Sequence, residues 1–222
     1  MSYYYYGNDG GGRRGGFMSN VPTVTKNLII INIIVFLFTW VLERRDSTFM
    51  NAFILFDPST PWFHPWQLIT YMFMHGGFWH ILFNMYTLFI FGSVVERIIG
   101  SKKFLVFYLI CGVGAAGFHL LVTALLSGMS GPMVGASGAI YGVMLAYAML
   151  FPESKLTLIF PPVTLSAKWM VIVFAAIELV TGVTSTVEGI AHFAHLGGML
   201  LGFLIIKFWK SRNILFDHDK FI

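Results

Sequence analysis

Among the polar residues that interrupt apolar runs in this chain, five could do chemistry together: His80, Asn84, Ser137, His192 and His195. Acyl transfer is the chemistry that such groups suit. A serine hydroxyl is a poor nucleophile until a base takes its proton, and a neutral imidazole is fitted to that task. Ser137 lies between small residues in Gly135-Ala136-Ser137-Gly138, where a substrate backbone has room to approach. A helix starting there would turn its unpaired N–H groups and partial positive charge toward a developing oxyanion. His80 and Asn84 are four residues apart and share a helical face. Asn84 would donate its amide to the same oxyanion, with His80 assisting. Tyr141, one turn after Ser137, would stack on the imidazole and fix its plane. His192 and His195 compete for the base role. No aspartate completes a triad, and neither Glu178 nor Glu188 has a spacing that assigns it to His195, so a Ser137/His195 dyad is the simpler reading. The sequence assigns Glu178 no role; lining a wet gap near a lateral gate is one alternative for it.

These groups need elements to position them, and composition says where the elements lie. Apolar residues make up 57% of the 222 and charged residues only 11%, against about 25% in soluble domains. So few charges cannot cover a water-facing surface; the bilayer is the natural solvent. The single cysteine, Cys111, rules out an intrachain disulfide and a thiolate metal cluster, and reads as a small buried hydrophobe. Six apolar spans follow one another at 24–42, 78–98, 103–126, 137–151, 168–184 and 190–210. A hydrocarbon core of about 30 Å takes about 20 helical residues. The span opening at Ser137 is short at about 22 Å. It fits only if the preceding segment dips into the membrane and lines a wet cavity, since irregular backbone at depth is tolerated only there or buried in protein. Residues 1–21 read as a disordered cytoplasmic tail, 22–211 as a six-helix membrane domain, and 212–222 as a short cytoplasmic tail. The aromatic loop 43–77 suits the interface, and 156–162 belongs to the loop joining spans four and five.

With the amino terminus cytoplasmic, twelve of the fourteen Lys and Arg residues face inward and only Arg44 and Arg45 face outward. The positive-inside rule then puts both termini in the cytoplasm. Spans two, four and six all run inward from the outer face, so His80, Asn84, Ser137, His192 and His195 share one layer just below it. Two small-residue stripes, Gly138/Gly142 and Gly198/Gly202, would let spans four and six approach closely. His195 leads into the second stripe, which puts the base on the face that meets the serine helix.

Three segments in this order resemble the rhomboid intramembrane serine proteases. They are His80-Ile81-Leu82-Phe83-Asn84, Gly135-Ala136-Ser137-Gly138 and Ala194-His195-Leu196-Gly197-Gly198. The resemblance covers roughly residues 24–210. It implies an all-α six-helix bundle in which Ser137 is the nucleophile and His195 the general base. It also implies an oxyanion site of His80, Asn84 and the Ser137 backbone N–H, with Tyr141 stacked on His195, and a structural role for Glu96. The family's Trp-Arg pair in the first outer loop is not evident. Implied partners are single-span membrane-protein substrates and lipid, with no nucleic acid and no cofactor or metal. The expected home is a bacterial plasma membrane with the site toward the extracytoplasmic side. On this reading His195→Ala abolishes cleavage and His192→Ala leaves measurable activity.

Other readings stand beside this one. Serine is a preferred helix N-cap, and asparagine in a membrane helix can be interhelical glue. His75 reads as a loop or interfacial residue. His75, His80, His192 and His195 would together suit zinc, although no H-E-x-x-H occurs and no carboxylate accompanies the histidines as a base. A non-catalytic relative that binds membrane proteins is a further alternative, while a transporter lacks support because no inverted repeat is found.

Overall fold

A computed structural model describes residues 20–43, 48–126, 131–158, 162–184 and 189–216. Most of the amino-terminal tail with Arg13 and Arg14, the loop residues Arg44 and Arg45, and Glu188 and Lys220 lie outside them.

In chain order the helices are α1 (Thr23–Glu43), α2 (Thr48–Asn51), α3 (Gln67–Thr70), α4 (Phe78–Thr87), α5 (Ser93–Ile99), α6 (Ser101–Leu126), α7 (Ser137–Leu150), α8 (Ala167–Thr184) and α9 (Gly189–Ser211). Residues Leu88–Gly92 form a single π-helical stretch that joins α4 to α5 as one continuous rod, Phe78–Ile99. Among the described residues, five helices are long and apolar enough to cross a membrane. The sixth apolar helix, α7, has 14 residues, in keeping with the short fourth span. This is a helical membrane bundle. Its outer faces carry exposed Ile30, Ile34 and Leu37 on α1 and Ile172, Val180 and Val183 on α8. Such apolar surface is stable against acyl chains and not against water.

The connection between spans four and five, expected as a loop, contains two short strands. These strands, β1 (Lys155–Thr157) and β2 (Thr164–Ser166), pair antiparallel with Leu156 opposite Leu165. The long first loop is ordered by a residue that the sequence did not flag. Gln67 is fully buried; its Oε1 accepts from the Phe56 and His64 N–H groups, and its Nε2 donates to the Asn51 and Trp62 carbonyls. One side chain thus satisfies four loop backbone groups that would otherwise be stranded. Trp62 and Trp66 stay half exposed, as interfacial aromatics do.

At the other end of the bundle Glu96 does a comparable job. Its Oε1 accepts from the Val24 N–H at 2.9 Å and Ser101 Oγ at 2.7 Å, and its Oε2 accepts from the Thr25 N–H at 2.7 Å. A carboxylate at the start of α1 satisfies orphan N–H groups and complements the helix dipole. It ties α1 to the α5–α6 turn.

Helix α9 packs against α6, α7 and α8 and is the hub of the bundle. The approach of α7 to α9 is the tightest. A Cβ built on Gly198 would lie 1.8 Å from the Gly138 carbonyl oxygen, and one on Gly202 3.0 Å from that of Gly142. The two stripes therefore face each other, and only glycine at 198 lets the backbones touch. Cys111 is buried on α6 against the same helix, with its Sγ 2.7 Å from where a Gly142 Cβ would sit.

Candidate active site

Close backbone contact at Gly138 and Gly198 puts the first turn of α7 beside the second turn of α9. There His195 Nε2 stands 2.8 Å from Ser137 Oγ. The serine does not cap its helix: Ala136 holds the N-cap position and no side-chain cap bond forms. The hydroxyl is spent on the imidazole instead. Tyr141 lies flat against the His195 ring, with centroids 4.2 Å apart and planes 11° from parallel.

His80 and Asn84 reach the same place from α4. His80 Nδ1 accepts from the Gly76 N–H at 3.3 Å, which assigns the ring proton to Nε2. That Nε2 sits 2.7 Å from where a Cβ on Gly135 would be, and Ser137 Oγ is 3.8 Å from the same point. Gly135 has φ of +121°, a conformation that L side chains rarely adopt, so the turn before Ser137 requires glycine on both counts. Asn84 Nδ2 donates one hydrogen to the His80 carbonyl at 2.9 Å; its second hydrogen is free of that bond. Being first in its helix, the Ser137 N–H has no intrahelical acceptor. Ser137, His195, His80, Asn84 and Tyr141 all line one cavity of about 420 Å³, with Trp79, Phe83, Thr87, Ile140, Met144 and Phe174 as its remaining walls. A larger hollow of about 590 Å³ lies between α1, the first loop and Val134, and contains neither Ser137 nor His195.

Glu178 corrects the sequence reading. It is buried on α8, not lining a gap, and it stands beside His195. Its Oε2 is 3.0 Å from His195 Nδ1 and in contact with His192 Nδ1, while its Oε1 accepts from the Tyr141 hydroxyl at 2.5 Å. The contact with His195 is an ion pair by distance, without hydrogen-bond geometry at Nδ1. The carboxylate lies off the line of the N–H, so the contact is best taken as charge against ring. A carboxylate does accompany the histidines, contrary to the sequence expectation: Glu178 stands against the Ser137–His195 pair, with Tyr141 and His192 attached to it. Helix arithmetic was the signal that could have found it. Glu178 lies six residues before the end of α8 and His195 six residues after the start of α9. Both are about 9 Å along their helices from the facing ends of α8 and α9, and neighbouring helices joined end to start bring such positions together.

The expected four-histidine set is not assembled as one cluster. His75 packs edge-on against His80 with centroids 5.1 Å apart, and His192 against His195 at 6.2 Å. Among the described residues, the group with metal-ligand spacing is Glu178, His192 and His195. His75, just before α4, is buried with neither ring nitrogen partnered. Burial, and then the neighbouring His80, hold its pKa down to about 4.

Residues 63–212 match the family model described as Rhomboid domain. Over 199 residues, 87% of this chain, the sequence is 34% identical to the mouse presenilin-associated rhomboid-like protein, mitochondrial, and covers 51% of that protein. It is 31% identical over 139 residues to the mitochondrial rhomboid protein 1 of Saccharomyces cerevisiae, covering 62% of this chain and 40% of that one. With the rhomboid protein YdcA of Bacillus subtilis it shares 32% over 145 residues, 64% of this chain and 68% of that one. The chain thus spans about half the length of the mammalian relative. Mitochondrial names among the relatives give no support to the expected bacterial plasma membrane; what stands is an integral, multi-pass membrane protein.

Proposed function

The chain belongs to the rhomboid family, and from that premise we propose that it is a serine endopeptidase cutting membrane-protein substrates in or near their transmembrane segments. The observation that carries this reading is the 2.8 Å contact between His195 Nε2 and Ser137 Oγ at the wall of a cavity. Nucleophile and base are within hydrogen-bond reach, and a third group orients the base, which is the arrangement that activates a serine.

The steps follow from the geometry. His195 Nε2 takes the hydroxyl proton as Ser137 Oγ attacks the scissile carbonyl. Charge then collects on the carbonyl oxygen. The Ser137 N–H, His80 Nε2–H and the second Asn84 hydrogen are the donors placed to receive it, and such preorganised donors supply a large share of the rate. The imidazolium returns its proton to the leaving amine, and water repeats the sequence on the acyl-serine. Throughout, Tyr141 holds the ring plane and the Glu178 carboxylate offsets the imidazolium charge. In this reading the amino terminus is cytoplasmic and the site opens toward the outer face, on the strength of the Lys and Arg distribution.

The test uses the full chain in detergent micelles with a tagged single-span substrate. Wild type should release two fragments and Ser137→Ala none. Matching band patterns from the two proteins would sink the hydrolase and leave a binder of membrane proteins in its place.

A further inference from the structure

We propose that Glu178, His192 and His195 form a zinc-binding site whose occupation switches the enzyme off. The inference rests on His195 being the base for Ser137. Three observations carry it. One ligand atom from each residue lies within 4.8 Å of the other two. Glu178 Oε2 already touches the Nδ1 of both rings. And His195 Nδ1 is buried, and the group against it is the Glu178 carboxylate, itself one of the three ligands. Two imidazoles and a carboxylate are a donor set that zinc takes with a fourth position left for water. Ligands about 2.1 Å from a tetrahedral ion stand about 3.4 Å apart. No separation among the three ligand atoms exceeds 4.8 Å and Glu178 Oε2 stands 3.0 Å or less from both Nδ1 atoms, so that geometry needs shifts of about an ångström, with the carboxylate drawing back from the rings. Access comes through His192, whose side chain is 29% exposed on the first turn of α9. His75 and His80 also pair ring to ring, but no carboxylate among the described residues joins them at this spacing.

Loss of activity follows from tautomer chemistry. A neutral imidazole that ligates through Nδ1 carries its proton on Nε2. The Nδ1 proton leaves for solvent and one is taken up at Nε2, with no net change on the ring. Nε2 is the atom facing Ser137 Oγ. Protonated, it donates to the hydroxyl and has no lone pair left for the serine proton. The doubly charged ion next to the ring opposes imidazolium formation as well.

Zinc chloride is titrated calorimetrically into the full-length Ser137→Ala protein in micelles, with cobalt(II) as a spectroscopic stand-in. One saturable site per chain is expected, with the visible d–d bands of a tetrahedral cobalt complex. His192→Gln should weaken binding tenfold or more. In parallel, zinc should suppress cleavage by the wild type over the same concentration range, and a chelator should restore it. For His192→Gln the zinc needed for half-inhibition should rise at least tenfold, measured against that variant's own zinc-free rate. Absence of saturable binding, binding indifferent to His192→Gln, or a saturated site that leaves cleavage intact each overturns the proposal. Binding is read on a chain without its nucleophile, so an outcome in which the wild type cuts nothing leaves the titration result standing on its own.

Discussion

Replacing Gly198 by alanine tests whether a backbone contact, three residues from the base, sets the catalytic distance. A Cβ there would lie 1.8 Å from the Gly138 carbonyl oxygen and 2.7 Å from its carbon. Both are backbone atoms, so no side chain can rotate away. Ordinary contact begins near 3.4 Å, and α7 and α9 must part by about 1.6 Å locally. Ser137 is the residue before Gly138 and His195 is about one turn before Gly198, and the two now stand 2.8 Å apart. Even most of that displacement carries them past 3.5 Å, beyond a useful hydrogen bond. Overpacking of this kind costs about 1–3 kcal/mol of stability, and a misplacement of about 1 Å at a reacting centre costs about 100-fold in rate. The assay is kcat/KM for cleavage of a single-span substrate, alongside thermal unfolding in the same detergent. Gly117→Ala is the control: nothing lies within 4 Å of its added Cβ, and alanine in a helix interior gains about 0.5–1 kcal/mol over glycine. Gly198→Ala should lose about 100-fold in kcat/KM while still folded at the assay temperature, and Gly117→Ala should lose nothing. A Gly198→Ala enzyme within about threefold of wild type would refute the claim that this contact positions the base.

Glu178→Gln keeps the shape and removes the charge facing His195 Nδ1, so kcat should fall about 10- to 100-fold with KM little changed; an unchanged kcat would make the carboxylate merely structural. Glu96→Ala leaves the Val24 and Thr25 N–H groups and the Ser101 hydroxyl without their acceptor. Thermal unfolding should report a loss of about 2–4 kcal/mol, and a loss below about 0.5 kcal/mol would show that water replaces the cap. His75 has a folded pKa of about 4 against 6.5 when unfolded, so between those values the unfolded chain binds the extra proton. Its contribution is therefore complete above pH 6.5 and is lost as pH falls, by about 2 kcal/mol at pH 5 and about 3 kcal/mol at pH 4. His80 is the ring that faces it. Unfolding of His75→Phe followed over this range should lack that part of the slope, and parallel curves for the two proteins would count against a buried neutral His75.

Much of the fold was legible because membranes leave few choices. The six apolar runs became helices whose ends fall within a few residues of those expected, since a lipid-facing backbone must satisfy its hydrogen bonds internally. The shortness of the run at Ser137 was informative for the same reason, and α7 does open beside a cavity. What the runs did not show was how polar side chains would serve the backbone outside them. Gln67 sits in a loop of ordinary appearance, and nothing in Trp66-Gln67-Leu68 says that its amide will meet four backbone groups. The β1–β2 hairpin was hidden in a stretch too short to carry a clear alternation.

Glu178 was missed for a different reason, and the reason bears on how the site works. Sequence motifs bind residues that lie close along the chain, whereas Glu178 is tied to His195 by depth. Helices α8 and α9 follow one another and pack together, so positions equidistant from the end of one and the start of the next are brought level. A carboxylate buried on a membrane helix demands partners, because the cost of its isolation runs to several kcal/mol. The partners are Tyr141 on α7 and both histidines on α9. On the proposed mechanism the charge that steadies the base is therefore held by the helices carrying nucleophile and base, and no member of the set is independent of the others. Double-variant measurements on Glu178 and Tyr141 should accordingly be non-additive. Removing the carboxylate should take away most of what the tyrosine hydroxyl contributes, because that hydroxyl acts on His195 only through Glu178.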